Sequence, residues 1–519
     1  MQKRLLFLLA LLMTFMSSAM AQVTTSSLSG TVVADGEEVI GATVDVVHKP
    51  SGTHYRAVTN DKGVYTINGM RVGGPYEVTV RCIGFAEQKT GGINLQLGET
   101  FNLKTTLSET AKEMQEVMVS AKGSKFSYER TGASTNISNE QMIAMPTVSR
   151  NVTDFTRLSP YGGNGMTFQG SDGRTANFTV DGANFNNNFG LSSTLPGGGN
   201  PISMEAIEEL QVVISPFDVR QTGFIGGALN AITKSGTNTF KGQAYVYHQN
   251  ENMRGDAVDR EFISGSRDKD RTTTYGFSLA GPIIKNKLFF FVNGELIKSP
   301  GTGTPWRASE NGVGNADAYQ SYTTIADMER VQEHVARKYG YNTGSFTSFP
   351  ADADNKKLLA KITWNINDKN RLDVRYNYTT NSSWVMPNAS SMDGGTRSAF
   401  SRTSLYSMPF ANSMYSLEKN VHSVSVDLNI RLSNSLSNQF LATFSKIDDV
   451  RGSNSAEFPF IDIQDGTNTN TQYMSLGYEL FSYNNAVHNN IFNLKDELIY
   501  TTGRHKITGG VSYEYQMAD

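Results

Sequence analysis

From Thr239 onward the sequence runs through segments in which apolar and polar residues trade places at every step. In RLDVRYNY, residues 371–378, Leu372, Val374, Tyr376 and Tyr378 alternate with Arg371, Asp373, Arg375 and Asn377. Successive side chains of an extended chain point to opposite faces, so a strict period of two means a strand with one apolar and one polar face. Ala360, Ile362, Trp364 and Ile366 oppose Lys361, Thr363 and Asn365 in the same way. Val424, Val426, Leu428, Ile430 and Leu432 oppose Ser425, Asp427, Asn429 and Arg431, and Ile507, Val511, Tyr513 and Tyr515 oppose Lys506, Thr508, Ser512 and Glu514. The pattern predicts strands at 240–249, 273–281, 287–297, 356–366, 370–381, 420–432, 438–449, 489–500 and 505–516. Most match or slightly exceed the ~9–11 residues that a tilted strand needs to cross a bilayer.

The apolar face has two candidate neighbours, the core of a soluble sandwich or lipid. The connections discriminate between them. Links at 282–286, 367–369 and 501–504 are short, as is the one after 432, whereas 298–355 and the links after 381 and 449 are long. Short periplasmic turns alternating with long extracellular loops are what a membrane barrel requires, and a sandwich has no reason to place every long loop at one end. The expectation is therefore that Leu372, Val374, Tyr376 and Tyr378 face lipid and that Arg371, Asp373, Arg375 and Asn377 face the lumen. Because half of each strand is wet, the mean hydropathy is only -0.36.

The N-terminus carries Lys3 and Arg4, an apolar run over 5–16, and a small-residue end with Ala19 and Ala21. This is the pattern of a secretory signal peptide cut after Ala21. The run is too short for the ~20 residues of a spanning helix, and no later segment resembles one, so integral membrane contact must come from a barrel. The single cysteine, Cys82, rules out an intrachain disulfide framework; within VTVRCIGF it reads as a buried, inert thiol. A net charge of -3 argues against a nucleic-acid partner. Abundant Gly, Asn and aromatic residues point to a mainly β chain, and 519 residues point to several domains.

Residues 22–108 read as a small β-sandwich of short alternating strands separated by turns, among them the tight turn at 60–63 that leads into the inward-facing Tyr65 and Ile67. The order SGTV, GATV, TNDKGVYTI, IGF resembles the carboxypeptidase-regulatory-like domain, whose carbohydrate-binding-like fold does not by itself imply a sugar site. Residues 109–121 include the extended piece EVMVSA, suited to add a strand to another protein's sheet edge or to pack locally. In 122–236 the composition shifts toward Gly and Asn, and 204–238 reads as a short helix over 204–210, a strand over 211–214, then glycines leading into 228–233. Val180-Asp181-Gly182, IEELQV, and the GGALNAITK that begins with Gly226 and Gly227 resemble the plug domain of TonB-dependent outer-membrane receptors. GPIIKNKLFFFVNGE (281–295) and the stretch 130–160 are similar to the Oar-like branch of that family. Ala121-Lys122-Gly123-Ser124 stands where the starch-utilisation branch usually has a glycine-tyrosine-glycine run.

The resemblance implies an α+β plug over 122–236 and the first part of a transmembrane antiparallel barrel over 237–519. It places a TonB-binding strand at Glu116, Val117, Met118 and Val119. It further implies a Gram-negative outer-membrane receptor that imports a large or scarce substrate, energised through TonB remodelling of the plug. The partners it implies are TonB, outer-membrane lipid, an unidentified substrate such as a glycan or peptide, and a surface lipoprotein. The alternative is a surface adhesin or assembly protein of the same architecture without energised transport. No nucleophile elbow, zinc-protease motif or phosphate loop is present, so neither an enzyme nor a cofactor is expected. Glu329, Glu333 and His334 share a helical stretch over 325–339, read as a solvated face, and Asp352 and Asp354 read as loop solvation. An odd set of strands does not close a plugged barrel of about 22, so the chain reads as the N-terminal part of a longer protein, with a truncated gene product as the alternative.

Overall fold

The computed structural model describes residues 23–109 and 133–519, apart from 187–194, 259–260, 263–270, 388–400, 467–471, 503–504 and scattered single positions. The signal segment with Ala19 and Ala21, and the segment with Glu116, Val117, Met118 and Val119, lie outside the described residues.

Two sheets face each other near the N-terminus. In one, Ser26–Ala34 pairs antiparallel with Val64–Met70 and parallel with Thr100–Leu107. In the other, Thr43–His48 lies between Thr53–Val58 and Gly73–Arg81, with Gln88–Leu95 beyond. Alternate side chains fill the space between them: Leu28, Val44, Val46, Ile67, Val78, Val80 and Ile93 are all buried. Each such burial stabilises by about 1.5–3 kcal/mol. At the turn before Val64–Met70, Asn60 Oδ1 accepts from the backbone N–H groups of Lys62 and Val64, both at 3.0 Å. Cys82 departs from expectation. It follows the last residue of Gly73–Arg81 and is only half-buried at the rim of the core, because the sheet that would cover it has ended.

The plug sheet runs in the order Ala183–Asn184, Asn177–Val180, Gly227–Thr233, Ile207–Ile214, Ala133–Ser138. Here the expected helix over 204–210 is corrected. Met204–Ala206 form one 3-10 turn, and Ile207–Ile214 is a strand paired on both sides, with Gly227–Thr233 and Ala133–Ser138. Met204, Ile207 and Leu210 are spaced as on a helix, but this strand is covered on both faces, buries Glu209 and Gln211 along with its apolar residues, and so shows no period of two.

Among the described residues, nine antiparallel strands then follow in sequence order, from Lys241–Asn250 to His505–Ala518, each paired with the next. All nine strands expected from the alternation are present. Several run further at the long-loop end, as in Tyr415–Arg431 and Ala486–Thr502. The two edge strands, Lys241–Asn250 and His505–Ala518, are not paired with each other, so the sheet is curved but open. Its burial is inverted relative to a soluble protein. Arg375 and Asn377 are each 1 % exposed, whereas Val374 and Tyr376 between and beside them are 37 % exposed. Lys361, Thr363, Ser423, Ser425, Asn493 and Lys495 are buried inward, while Ile362, Trp364, Val424, Phe444 and Phe492 point out.

Short turns at 285–287, 368–369 and 432–435 mark one end of the sheet, and the described parts of the long connections 300–352, 386–414 and 453–485 mark the other. The long connections condense into a cap with its own core of Met328, Val335, Tyr341, Phe346, Met408, Phe410, Met474 and Leu476. Its helix, Ile325–Tyr339, begins at Thr324, whose side chain accepts from Asp327 N–H, and ends at Gly340 in the left-handed conformation. It buries Met328 and Val335 against the cap and leaves Glu329, Glu333 and His334 facing solvent.

Candidate functional site

The site is the seam where the plug meets the inner face of the strand wall. The motif Val180-Asp181-Gly182 forms its centre. Val180 is buried in the plug core, and Asp181 and Gly182 both have positive φ (43° and 76°), turning the chain between Asn177–Val180 and Ala183–Asn184. A Cβ on Gly182 would lie 2.6 Å from Leu441 of the wall, so both the turn and the close approach require glycine. Gly226 has φ 89°, and a Cβ on Gly227 would strike the Phe168 ring at 2.6 Å. These two glycines let Gly227–Thr233 enter the sheet beside Asn177–Val180.

The turn fixes where the Asp181 carboxylate sits. It accepts from Thr233 N–H at 2.9 Å and from the Thr233 hydroxyl at 2.5 Å, joining the ends of two plug strands. From the wall, Lys361 Nζ and Arg375 Nε each approach the same Asp181 oxygen to 3.5 Å. Lys361 also donates to the Thr233 carbonyl at 3.2 Å, and Arg375 donates to Ser423 Oγ at 3.1 Å. Thus one plug carboxylate is shared by two cations on neighbouring wall strands.

Further polar contacts repeat this arrangement along the seam. Arg150 of the plug pairs with Glu205 at 2.7 Å and lies over the Tyr247 ring of the first wall strand at 3.6 Å. Glu205 accepts from Gln243 at 3.1 Å. Ser203 donates to Glu295 at 2.9 Å, and Glu295 is held by Lys357 at 2.8 Å. Arg220 bridges Asp218 at 2.6 Å and the wall's Glu497 at 3.5 Å. Thr379 donates to the Pro201 carbonyl at 2.7 Å. Buried polar contacts of this kind add little net stability over apolar packing but penalise any mismatch, and water can replace each partner when the surfaces part. Such a seat is specific and can still be left. Asp181 was legible as part of a motif, and Lys361 and Arg375 as lumen-facing charges. Their convergence was not, because it joins residues far apart in the chain.

At the short-turn end the N-terminal sandwich meets this seam. Leu97 N–H donates to Glu209 Oε1 at 2.8 Å, and Gln211 Nε2 donates to the Leu97 carbonyl at 2.7 Å. A cavity of about 410 Å³ remains where sandwich, plug and wall meet, lined by Arg71, Glu208, Lys234, Lys361, Arg371 and Asp427 among others. Its mixed charge is that of a hydrated space rather than an apolar ligand pocket. Burial pushes the Glu209 carboxyl up to about 8; the Leu97 N–H offsets this in part, and Glu208 and Glu99 add to it. The folded chain therefore keeps a proton that the unfolded chain releases near 4.5. This group's contribution is complete below that pH, declines as pH rises, and is gone above about 8. Amide exchange along Ile207–Ile214, corrected for intrinsic rates, should accelerate across that window, and Glu209→Gln should flatten the dependence.

A family model described as "Outer membrane beta barrel domain" matches residues 232–519, and one described as "Carboxypeptidase regulatory-like domain" matches residues 27–108. "TonB-dependent transporter Oar" of Myxococcus xanthus is 24% identical over 387 residues, 70% of this chain and 34% of that protein. Among solved structures, the outer membrane transporter YddB from Escherichia coli aligns with a TM-score of 0.48 at 13% identity, over 74% of this chain and 48% of that one. The siderophore receptor PirA from Pseudomonas aeruginosa aligns with a TM-score of 0.44 at 14% identity, over 74% and 48%. The chain spans about a third of the curated relative it matches and about half of these solved proteins.

Proposed function

The chain belongs to the outer membrane beta-barrel family, and on that premise we propose that it is a TonB-dependent receptor importing a large or scarce substrate across the outer membrane. The observation that carries this reading is the polar seam around Asp181, Lys361 and Arg375, which seats a plug inside the wall by contacts that water can replace. The outer membrane has no ATP and no ion gradient of its own to drive such an exchange, so the work must arrive mechanically. Residues 113–120 lie between the sandwich and the plug, and Glu116, Val117, Met118 and Val119 would pair with TonB by strand addition. A pull on that segment enters the plug at Ala133–Ser138, the edge strand of its sheet.

Deleting residues 113–120 from the full-length protein should leave binding at the cell surface intact and abolish uptake. Undiminished uptake by the deletion strain would refute the mechanism. The folded cap of long loops supports a second reading, a surface adhesin or assembly protein. The same deletion separates the two, because adhesion needs no energised segment.

A further inference from the structure

We propose that the N-terminal sandwich is a built-in lock that holds the plug shut by bolting plug and wall together across the short-turn mouth. The inference rests on the reading above in one respect, that the plug must move for the protein to work. The sandwich touches the moving part and the fixed part at once. On the plug, Leu97 accepts from Gln211 and from Asn136 and donates to Glu209, so one backbone position grips the neighbouring strands Ile207–Ile214 and Ala133–Ser138. Val23, Val72 and Leu97 close over Ile232 of the next strand.

On the wall, the contacts fall on the short turns and the strand ends beside them. Thr24 donates to Asp427 at 2.6 Å, Asn365 donates to Thr53 at 2.8 Å, and Arg371 donates to the Tyr55 hydroxyl at 3.2 Å. Arg56 pairs with Asp368 at 3.4 Å, and Asn238, where the chain passes from plug to wall, donates its N–H to the Pro50 carbonyl at 2.8 Å. A passenger domain on a tether would have no reason to match its side chains to the wall beside two separate turns while also satisfying buried groups of the plug. While these bonds persist, Ile207–Ile214 cannot shift relative to the wall without breaking contacts on both sides of the sandwich.

The chain order supplies the release. The sandwich ends with Thr100–Leu107, paired in parallel along nearly the whole of Ser26–Ala34, the strand that Thr24 leads into, and the plug begins with Ala133–Ser138. Residues 110–132 connect the two, so force applied there loads the sandwich and the plug edge together. One pull lifts the lock and tensions what it guarded.

The test is amide hydrogen exchange on the full-length protein carrying Thr24→Val, Thr53→Val, Tyr55→Phe and Arg56→Ala together, which removes bolts from the sandwich side and leaves plug and wall unaltered. Several hydrogen bonds are lost, so exchange in Ile207–Ile214 and Ala133–Ser138 should quicken by about tenfold or more while the sandwich core keeps its native rates. Should the quadruple variant fold poorly, Asn365→Ala with Asp368→Ala removes two bolts from the wall side and should shift plug exchange in the same direction. Native plug exchange in either folded variant would overturn the lock. Uptake that survives deletion of residues 113–120 would instead sink the import reading and leave the exchange result to judge the lock alone.

Discussion

Replacing Asp181 with alanine in the full-length protein should loosen the plug by about 3–5 kcal/mol, the cost of breaking a buried ion pair by removing one partner. Lys361 and Arg375 would lose the carboxylate they share, with Arg375 only 1 % exposed. Thr233 would lose acceptors for both its N–H and its hydroxyl. Alanine would also occupy a backbone position with φ 43°, which asparagine tolerates far better. Asp181→Asn should therefore be intermediate, keeping the turn and an acceptor for Thr233 while losing the charge. Protease cleavage within 133–235 of the folded receptor reads the effect. Equal protection of both variants and wild type would mean that the carboxylate does not seat the plug.

A second large effect is expected on the outer face. Val374→Arg places a cation on the apolar side of Asn370–Val385, about a third of the way along the strand from its tight turn at 368–369. A charge facing lipid costs about 2–4 kcal/mol near the bilayer midplane and about 0–1 kcal/mol near the interface. Val374→Arg should thus lower the stability of the membrane-inserted full-length protein markedly, while Leu432→Arg, in the short turn after Tyr415–Arg431, should cost little. Denaturant titration in lipid vesicles measures both. Equal costs at the two positions would contradict a lipid-facing strand.

The strand wall was legible because its signal is local. A strand with lipid on one face and water or plug on the other must alternate, and nine such runs stood out from a single reading. The strand ends beyond them did not. At 415–419 Tyr415 and Leu417 fall in phase with the lumen-facing Ser423 and Ser425, and Ser416 and Glu418 in phase with the outward Val424, so the apolar face does not continue there. The plug was harder for the opposite reason. Ile207–Ile214 is covered on both faces, so its apolar run at 207 and 210 imitates a helical stripe. Groups that meet across the seam, such as the Asp181 and Lys361 side chains or the Leu97 N–H and Glu209, belong to segments more than a hundred residues apart in the chain. Nothing local specifies such pairings, although the lumen-facing charge of Lys361 and Arg375 marks them as cations that need a partner inside the barrel.

Which way the strand faces point decides whether the wall is a membrane barrel, and single cysteines placed one at a time along 371–378 in the full-length protein, with Cys82→Ser, measure this directly. A lipid-dissolved probe should reach positions 372, 374, 376 and 378 and a water-soluble thiol reagent should not, while 371, 373, 375 and 377 should show no contact with the lipid probe. Uniform labelling by the water-soluble reagent, or the lipid probe reaching the odd-numbered set instead, would contradict a membrane barrel closed around its plug.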